Sequence, residues 1–486
     1  MSGRRSPRAV GAVAAAAAPS SSPWRPASPQ AAKPAAAEDW IARSGGEGEL
    51  ILIKGGCVLT MDRRIGDFER ADVLVKGRHI VEIGPDIDAP DAQVIDAVGT
   101  IVLPGFVDTH RHCWQNVFRR FAPSADILGY RESTNRLGEA VRPEDVYIGN
   151  LLSCLGALDT GVTTLLDWSH VSNTPEHSDA AVEGLFASGM RAVYGYGQAK
   201  ASPKLSQYPQ DAQRIKARYF SSKDQLVTMF MGANIDRVAN WRLARELDIG
   251  ITSHVIRQSD LLEAAGRDGL IGPDVTFIHC TGLSDTAWSM IRDAGASLSF
   301  ASSSISQLGV GGGIPPIQKA LDFGLRPSLS VDVEVSLPGD FFTQMRVTYA
   351  IQRAGINERR FAGEKDPPPL LSVRDMLGFA TVEGARANGL SSVIGTLTPG
   401  KQADIILIRA DDFSTMPLNN AIGTVVLGAD RQSVETVLVA GRVRKWRGEL
   451  VGVDYEHVKS LVLESRDRLA AETGQPVDVL GDGYGV

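Results

Sequence analysis

The sequence predicts an α/β fold, a (β/α)8 TIM barrel with a small β-sandwich built from N- and C-terminal segments. Three observations carry this. Apolar runs alternate with helical stretches through the middle of the chain, the pattern of a parallel sheet with crossover helices. Eight such runs suffice to close a barrel, near residues 103–110, 161–168, 191–198, 225–232, 249–254, 275–280, 296–301 and 327–332. Two strand-rich segments flank them, and neither is long enough to make a sturdy sheet alone.

The first flank, 46–102, contains Leu50-Ile51-Leu52-Ile53-Lys54-Gly55-Gly56, Asp72-Val73-Leu74-Val75-Lys76-Gly77 and His79-Ile80-Val81-Glu82-Ile83, short runs broken by glycine turns. The second, 394–452, contains Asp404-Ile405-Ile406-Leu407-Ile408 and Glu435-Thr436-Val437-Leu438-Val439-Ala440-Gly441. Between them lies the barrel, 103–393. The stretch Asp236 to Leu247 illustrates a crossover helix, with Val238, Trp241, Leu243, Ala244 and Leu247 near helical spacing. From 453 to 486 the chain reads as a terminal helix with a glycine-rich end.

Residues 1–45 read as a tail. The first 37 carry Arg4, Arg5, Arg8, Arg25 and Lys33 without one acid, and Ala, Pro and Ser dominate. A solvated tail is the preferred reading, although the basic, acid-free composition also fits a targeting segment. The chain as a whole has a net charge of -7, so the part beyond the tail is the more acidic. That argues against nucleic acid as a partner. No apolar run reaches the roughly 18 residues that suggest a membrane span. The four cysteines, Cys57, Cys113, Cys154 and Cys280, lack metal or redox spacing, which favours reduced thiols in a cytoplasmic enzyme. Cys113 and Cys280 each follow a histidine of interest and alternation turns them to the opposite face, as packing residues. A homo-oligomer is compatible with the sequence.

The chemistry concentrates at strand ends. Val102-Leu103-Pro104-Gly105-Phe106-Val107-Asp108-Thr109-His110-Arg111-His112 runs an apolar strand into two histidines one residue apart. Side chains alternate along a strand, so His110 and His112 point the same way and can share one divalent cation. Of the eight histidines, His170, His254 and His279 also end apolar runs, where a barrel presents its functional groups. Leu329-Ser330-Val331-Asp332 ends in an acid that is costly to bury unless paired or bound to a metal, which makes Asp332 the natural fourth ligand. His79, His177 and His457 lie in turn, loop or helical contexts and read as surface residues.

With His110, His112, His254, His279 and Asp332 in this order, the chain resembles the amidohydrolase superfamily, in particular the branch of cytosine deaminase and the triazine hydrolases. The resemblance runs from about residue 49 to about residue 451 and includes Ser372-Val373-Arg374-Asp375-Met376-Leu377 and Gly395-Thr396-Leu397-Thr398-Pro399-Gly400-Lys401-Gln402-Ala403-Asp404. It implies a metal held by His110, His112, His254 and Asp332, zinc with iron as the alternative. One metal is expected, because strand four, Gln225 to Gly232, offers no bridging lysine or glutamate. The resemblance also gives Asp332 the role of accepting a water proton and His279 that of orienting the attacking oxygen. The implied activity is hydrolysis of a C–N bond, by deamination or by opening of a cyclic amide or amidine, in a small cyclic substrate. The competing reading is a catalytically silent, amidohydrolase-like scaffold, which has no reason to keep buried His and Asp groups that need partners.

One departure stands out. Many deaminases of this branch carry a glutamate three residues after the strand-five histidine, and here Arg257 occupies that place. A guanidinium stays protonated and cannot shuttle protons to a ring nitrogen, but it can bind an anionic or polar substituent; a surface arginine is the equal alternative. Glu334 offers a replacement carboxyl, with a solvated loop acid as the favoured reading. His170 is expected either to line the pocket or to sit in a loop without a role. Trp114 and Gln115 are expected to give an aromatic wall and a polar contact for a flat substrate, with packing against loops as the alternative for Trp114.

Overall fold

The computed structural model describes residues 36–200, 206–475 and 477–481; most of the tail assigned from sequence lies outside them. Its described end is not a solvated tail, because Ala36–Arg43 is helical and buries Trp40 and Ile41 in the apolar cluster of the flanking sheet. Eight parallel strands follow one another around the barrel: Phe106–Arg111, Val162–Ser169, Arg191–Gly197, Val227–Gly232, Gly250–Ile256, Val275–Thr281, Ser297–Phe300 and Ser328–Leu329. The eighth is short because the chain leaves regular pairing to place Asp332. Closure comes just beyond it, where Asp332 N–H donates to the His110 carbonyl (2.9 Å) and His112 N–H to the Asp332 carbonyl (2.9 Å). The Thr109 hydroxyl, 2.7 Å from Ser299 Oγ and 2.8 Å from Ser328 Oγ, ties strand one to strands seven and eight. Barrel closure and two ligand positions are therefore one structural event.

Strand one starts later than its apolar run suggests. Thr100–Pro104 belongs to the other sheet, antiparallel to Ile405–Arg409, and the barrel strand begins at Phe106. Gly105 makes the switch: any Cβ there would collide with the Thr163 side chain. The apolar run is continuous because both strands are buried, so hydropathy alone could not mark the break.

The second sheet has nine strands from two distant segments, and Thr100–Pro104 against Ile405–Arg409 is its seam. Ile51, Ile53, Val73 and Val75 of the first segment share one apolar cluster with Ile405, Leu407, Leu438 and Val443 of the second. Burying each such side chain contributes about 1.5–3 kcal/mol, which neither segment could collect alone. A buried ion pair fastens this sheet to the barrel. Arg191 of strand three grips Asp404 with Nε to Oδ2 at 2.9 Å and Nη2 to Oδ1 at 3.0 Å, and also donates to Gln402.

The crossover after strand four is a short 3-10 turn, Ile235–Arg237, and a helix, Ala239–Glu246, burying Trp241 and Ala244. The helix Val373–Ala380 starts on the Ser372 cap, whose hydroxyl accepts from Asp375 N–H while the Asp375 carboxylate accepts from Ser372 N–H. Tyr455–Thr473 forms the C-terminal helix. Among the described residues, no helix is long and apolar enough to cross a membrane.

Candidate metal centre

The structure gathers His110, His112, His254, His279 and Asp332 at the C-terminal mouth of the barrel, where strand ends from around the ring converge. The ligand atoms of His110, His112 and His254 lie within 4.8 Å of one another, as do those of His110, His279 and Asp332. His110 Nε2 is 3.1 Å from Asp332 Oδ1. His279 and Asp332 have φ of 66° and 71°, left-handed backbone that costs a non-glycine residue about 1–3 kcal/mol. At strand six this bends the pairing, for Val255 faces His279 while Ile256 faces Thr281. Cys280 fills the resulting bulge and packs into the apolar core, as does Cys113.

Two hydrogen bonds fix the ring states. His112 Nδ1 lies 2.8 Å from the Trp168 carbonyl and His254 Nδ1 3.3 Å from Asn234 Oδ1. Each Nδ1 thus carries the proton and each Nε2 the lone pair. These lone pairs face other ligating atoms: His254 Nε2 is 3.2 Å from His110 Nε2, and His112 Nε2 is 3.4 Å from the acceptor Asp332 Oδ1. Such an arrangement is repulsive without a cation or proton between the atoms, so the donor set fits a divalent metal. Electrostatics point the same way. Burial, then the His110 charge, lowers the His112 pKa to about 3, and burial lowers His279 to about 4. Burial would raise the Asp332 pKa, but the His110 hydrogen bond and the surrounding imidazoles hold it well below the usual carboxylate range. Neutral imidazoles at His112 and His279 beside an ionised Asp332 are donor states that suit a metal.

A cavity of about 660 Å³ opens above this cluster, and His112, His170, His254, His279 and Asp332 reach it. Other expected site residues do not. Trp114 is buried behind the wall and donates its indole N–H to His170 Nδ1 at 3.1 Å. Gln115 is buried too, and its amide donates to the Tyr130 hydroxyl at 2.9 Å; Tyr130, not Gln115, lines the cavity. Arg257, at φ 53°, turns outward and donates from Nε to the Gly311 carbonyl at 3.1 Å, while the next residue, Gln258, takes a place in the wall. Glu334 is neither a solvated loop acid nor a lining residue. It is buried and bound by Arg111 Nη1 (2.7 Å), Arg119 Nε (2.7 Å) and Arg120 Nη1 (3.3 Å). His177, expected at the surface, is buried, with Nε2 3.0 Å from the Val141 carbonyl.

Several lining groups carried no signal in sequence. Tyr130, Arg131, Gln198, Lys200, Asn234, Asp236 and Arg237 come from the connections after strands one, three and four, Tyr130 and Arg131 from the helix Ile127–Ala140, and no strand spacing marks them. Ser304, whose hydroxyl donates to Asp332 Oδ2, follows strand seven in a run of three serines. Beneath the site Arg111, between the two strand-one histidines, binds Asp108 Oδ2 through Nε at 2.8 Å as well as Glu334.

Comparison with known proteins agrees with this geometry. The chain is 27% identical to a 5'-deoxyadenosine deaminase of Methanosarcina mazei, over 87% of this chain and 98% of the relative. It is 28% identical to a 5-methylthioadenosine/S-adenosylhomocysteine deaminase of Symbiobacterium thermophilum, over 81% of this chain and 93% of that one. Among solved structures, a zinc-bound adenosine deaminase from Xanthomonas campestris superposes with a TM-score of 0.75 at 20% identity, covering 87% of this chain and 99% of its own. An atrazine chlorohydrolase variant from Arthrobacter aurescens complexed with zinc and atraton also gives 0.75 at 20% identity, covering 86% and 100%. Residues 101–444 match the Amidohydrolase family, and with that span the chain belongs to this family.

Proposed function

We propose that this chain is a metal-dependent hydrolase that cleaves a C–N bond at an amino-substituted carbon of a small heterocycle bearing an anionic or strongly polar substituent. The observation that carries the reading is the convergence of four histidines and one ionised carboxylate on a cavity large enough for a nucleoside-sized ligand. The relatives named as deaminases of adenosine-like compounds support the reaction class.

His110, His112, His254 and Asp332 would hold the metal. A divalent cation bound there supplies Lewis acidity and brings the pKa of water toward about 7; zinc fits three imidazoles and one carboxylate. Asp332 has two distinct oxygens. Oδ1 faces His110 and His112, whereas Oδ2 accepts from Ser304 and lies 3.8 Å from His279 Nε2. Oδ2 is therefore the atom that receives the water proton and returns it to the leaving nitrogen. His279, neutral and beside Oδ2, orients the attacking oxygen.

Substrate charge is read from the wall. Arg131, Lys200 and Arg237 line the cavity, and among the described residues none has an ion-pair partner for its side chain. Burial, then the Arg131 charge, lowers the Lys200 pKa, with the Asp332 carboxylate acting in the opposite direction. Anion binding is one of the two equal readings of Arg257 from sequence, but Arg257 turns outward. A test uses zinc-loaded protein and matched amino-heterocycles with and without a carboxylate or phosphate substituent, following ammonia release. The charged member of a pair should react at least about 10-fold faster in kcat/KM, equivalent to 1.4 kcal/mol, and Asp332→Ala should abolish both rates. Absence of ammonia from every pair would overturn the proposal.

A further inference from the structure

His170, at the end of strand two, lines the cavity and stacks on His112, with ring centroids 4.1 Å apart and planes 28° from parallel. It belongs to neither of the metal-ligand groups. Its Nδ1 lies 3.1 Å from Trp114 Nε1. An indole N–H can only donate, so His170 Nδ1 must accept. The ring is therefore neutral and its single proton sits on Nε2. No protein partner binds that N–H among the described residues, and His170 itself lines the cavity. Trp114 is itself buried, so the lock on the tautomer is shielded from water.

We propose that His170 is a catalytic hydrogen-bond donor of fixed tautomer, whose Nε2–H engages the substrate heteroatom next to the carbon that water attacks. This deepens the hydrolase reading and rests on it. As the carbon becomes tetrahedral, the C=N electron pair moves to that ring nitrogen and negative charge builds there. A preorganised N–H strengthens its bond as the charge grows and so favours the transition state over the bound substrate. His170 keeps its proton throughout; only the hydrogen bond changes. The loop after strand five cannot supply this contact from Arg257, which points away. Stacking on His112 holds the donor beside the metal ligands.

The test joins a spectroscopic and a kinetic readout on the zinc-loaded full chain. With histidine labelled at both ring nitrogens, and His170→Gln used for assignment, the resting protein should show a neutral Nε2–H ring at His170. Trp114→Phe should mix the tautomers. An Nδ1–H ring or an imidazolium at His170 would overturn the proposal. His170→Phe, which keeps a stacking ring and loses the donor, should reduce kcat by about 100-fold or more, with little change in KM or zinc content. His170→Gln, which retains an amide donor, should recover part of the loss. Loss of zinc in both variants, or an unchanged kcat in His170→Phe, would instead make the residue structural. Failure of the hydrolase reading looks different: no tested heterocycle is hydrolysed, yet saturating an unreactive ring-nitrogen ligand still shifts the His170 Nε2 resonance, which would support the donor assignment alone.

Discussion

Arg111→Met should weaken the metal centre from below. The guanidinium is 1% exposed and spans two buried carboxylates, with Asp108 Oδ2 at 2.8 Å and Glu334 Oε1 at 2.7 Å, and it also donates to the Gly339 carbonyl at 3.1 Å. Methionine fills most of the volume but removes the charge. Glu334 keeps Arg119 and Arg120, so the damage falls mainly on Asp108. That carboxylate would retain only the backbone N–H groups of His110 and Val331, each at 3.2 Å. Its pKa is already raised, because burial outweighs Arg111. Leaving one member of a buried pair uncompensated costs about 3–5 kcal/mol. For a chain of this size such a loss lowers Tm by several degrees. Arg111 also sits between two metal-facing histidines, so zinc affinity should fall roughly 10–100-fold, as when an outer support of a metal ligand is removed. Thermal unfolding and competition with a chelating dye measure the two effects. Adding Asp108→Asn should recover part of the Tm, because the pair is coupled. A single variant with parental Tm and zinc affinity would refute the argument.

Other expectations follow from the same geometry. Purified protein reconstituted with zinc should retain about one ion per chain; elemental analysis finding two tightly held ions would contradict the donor set. Asp167 is buried, and burial raises its pKa to about 6 despite bonds from Cys113 N–H and the Asn150 amide. Because the unfolded chain ionises near 3.9, this group makes stability fall as pH rises from about 4 to 6, by up to about 3 kcal/mol. Asp167→Asn should flatten the Tm profile in that window, and an identical slope in both proteins would exclude the assignment. Arg191→Met should lower stability by about 3–5 kcal/mol through Asp404, read by chemical denaturation, with zinc content unchanged. Finally, Arg237→Met should raise KM for an anionic substrate at least threefold while Arg257→Met leaves it unaltered; the reverse pattern would restore the sequence-based reading of Arg257.

The sequence by itself determined which residues end the barrel strands. Period-two alternation puts His110 and His112 on one face, and an apolar run ending in Asp332 makes sense only where a partner awaits. These signals are local, so they survive without a structure. The seam at Gly105 was not legible, because two buried strands in different sheets read as one hydropathic run. Loop side chains were harder still. Arg257 follows His254 by three residues, yet a left-handed turn at that residue points it outward. Glu334 resembles an exposed acid two residues past Asp332, and only the fold brings Arg111, Arg119 and Arg120 around it. The cavity's cations come from the connections after three different strands, Arg131 from a helix, so no spacing along the chain encodes their meeting. Strand chemistry is written in periodicity; loop chemistry depends on backbone dihedrals and long-range packing, which tertiary structure alone decides.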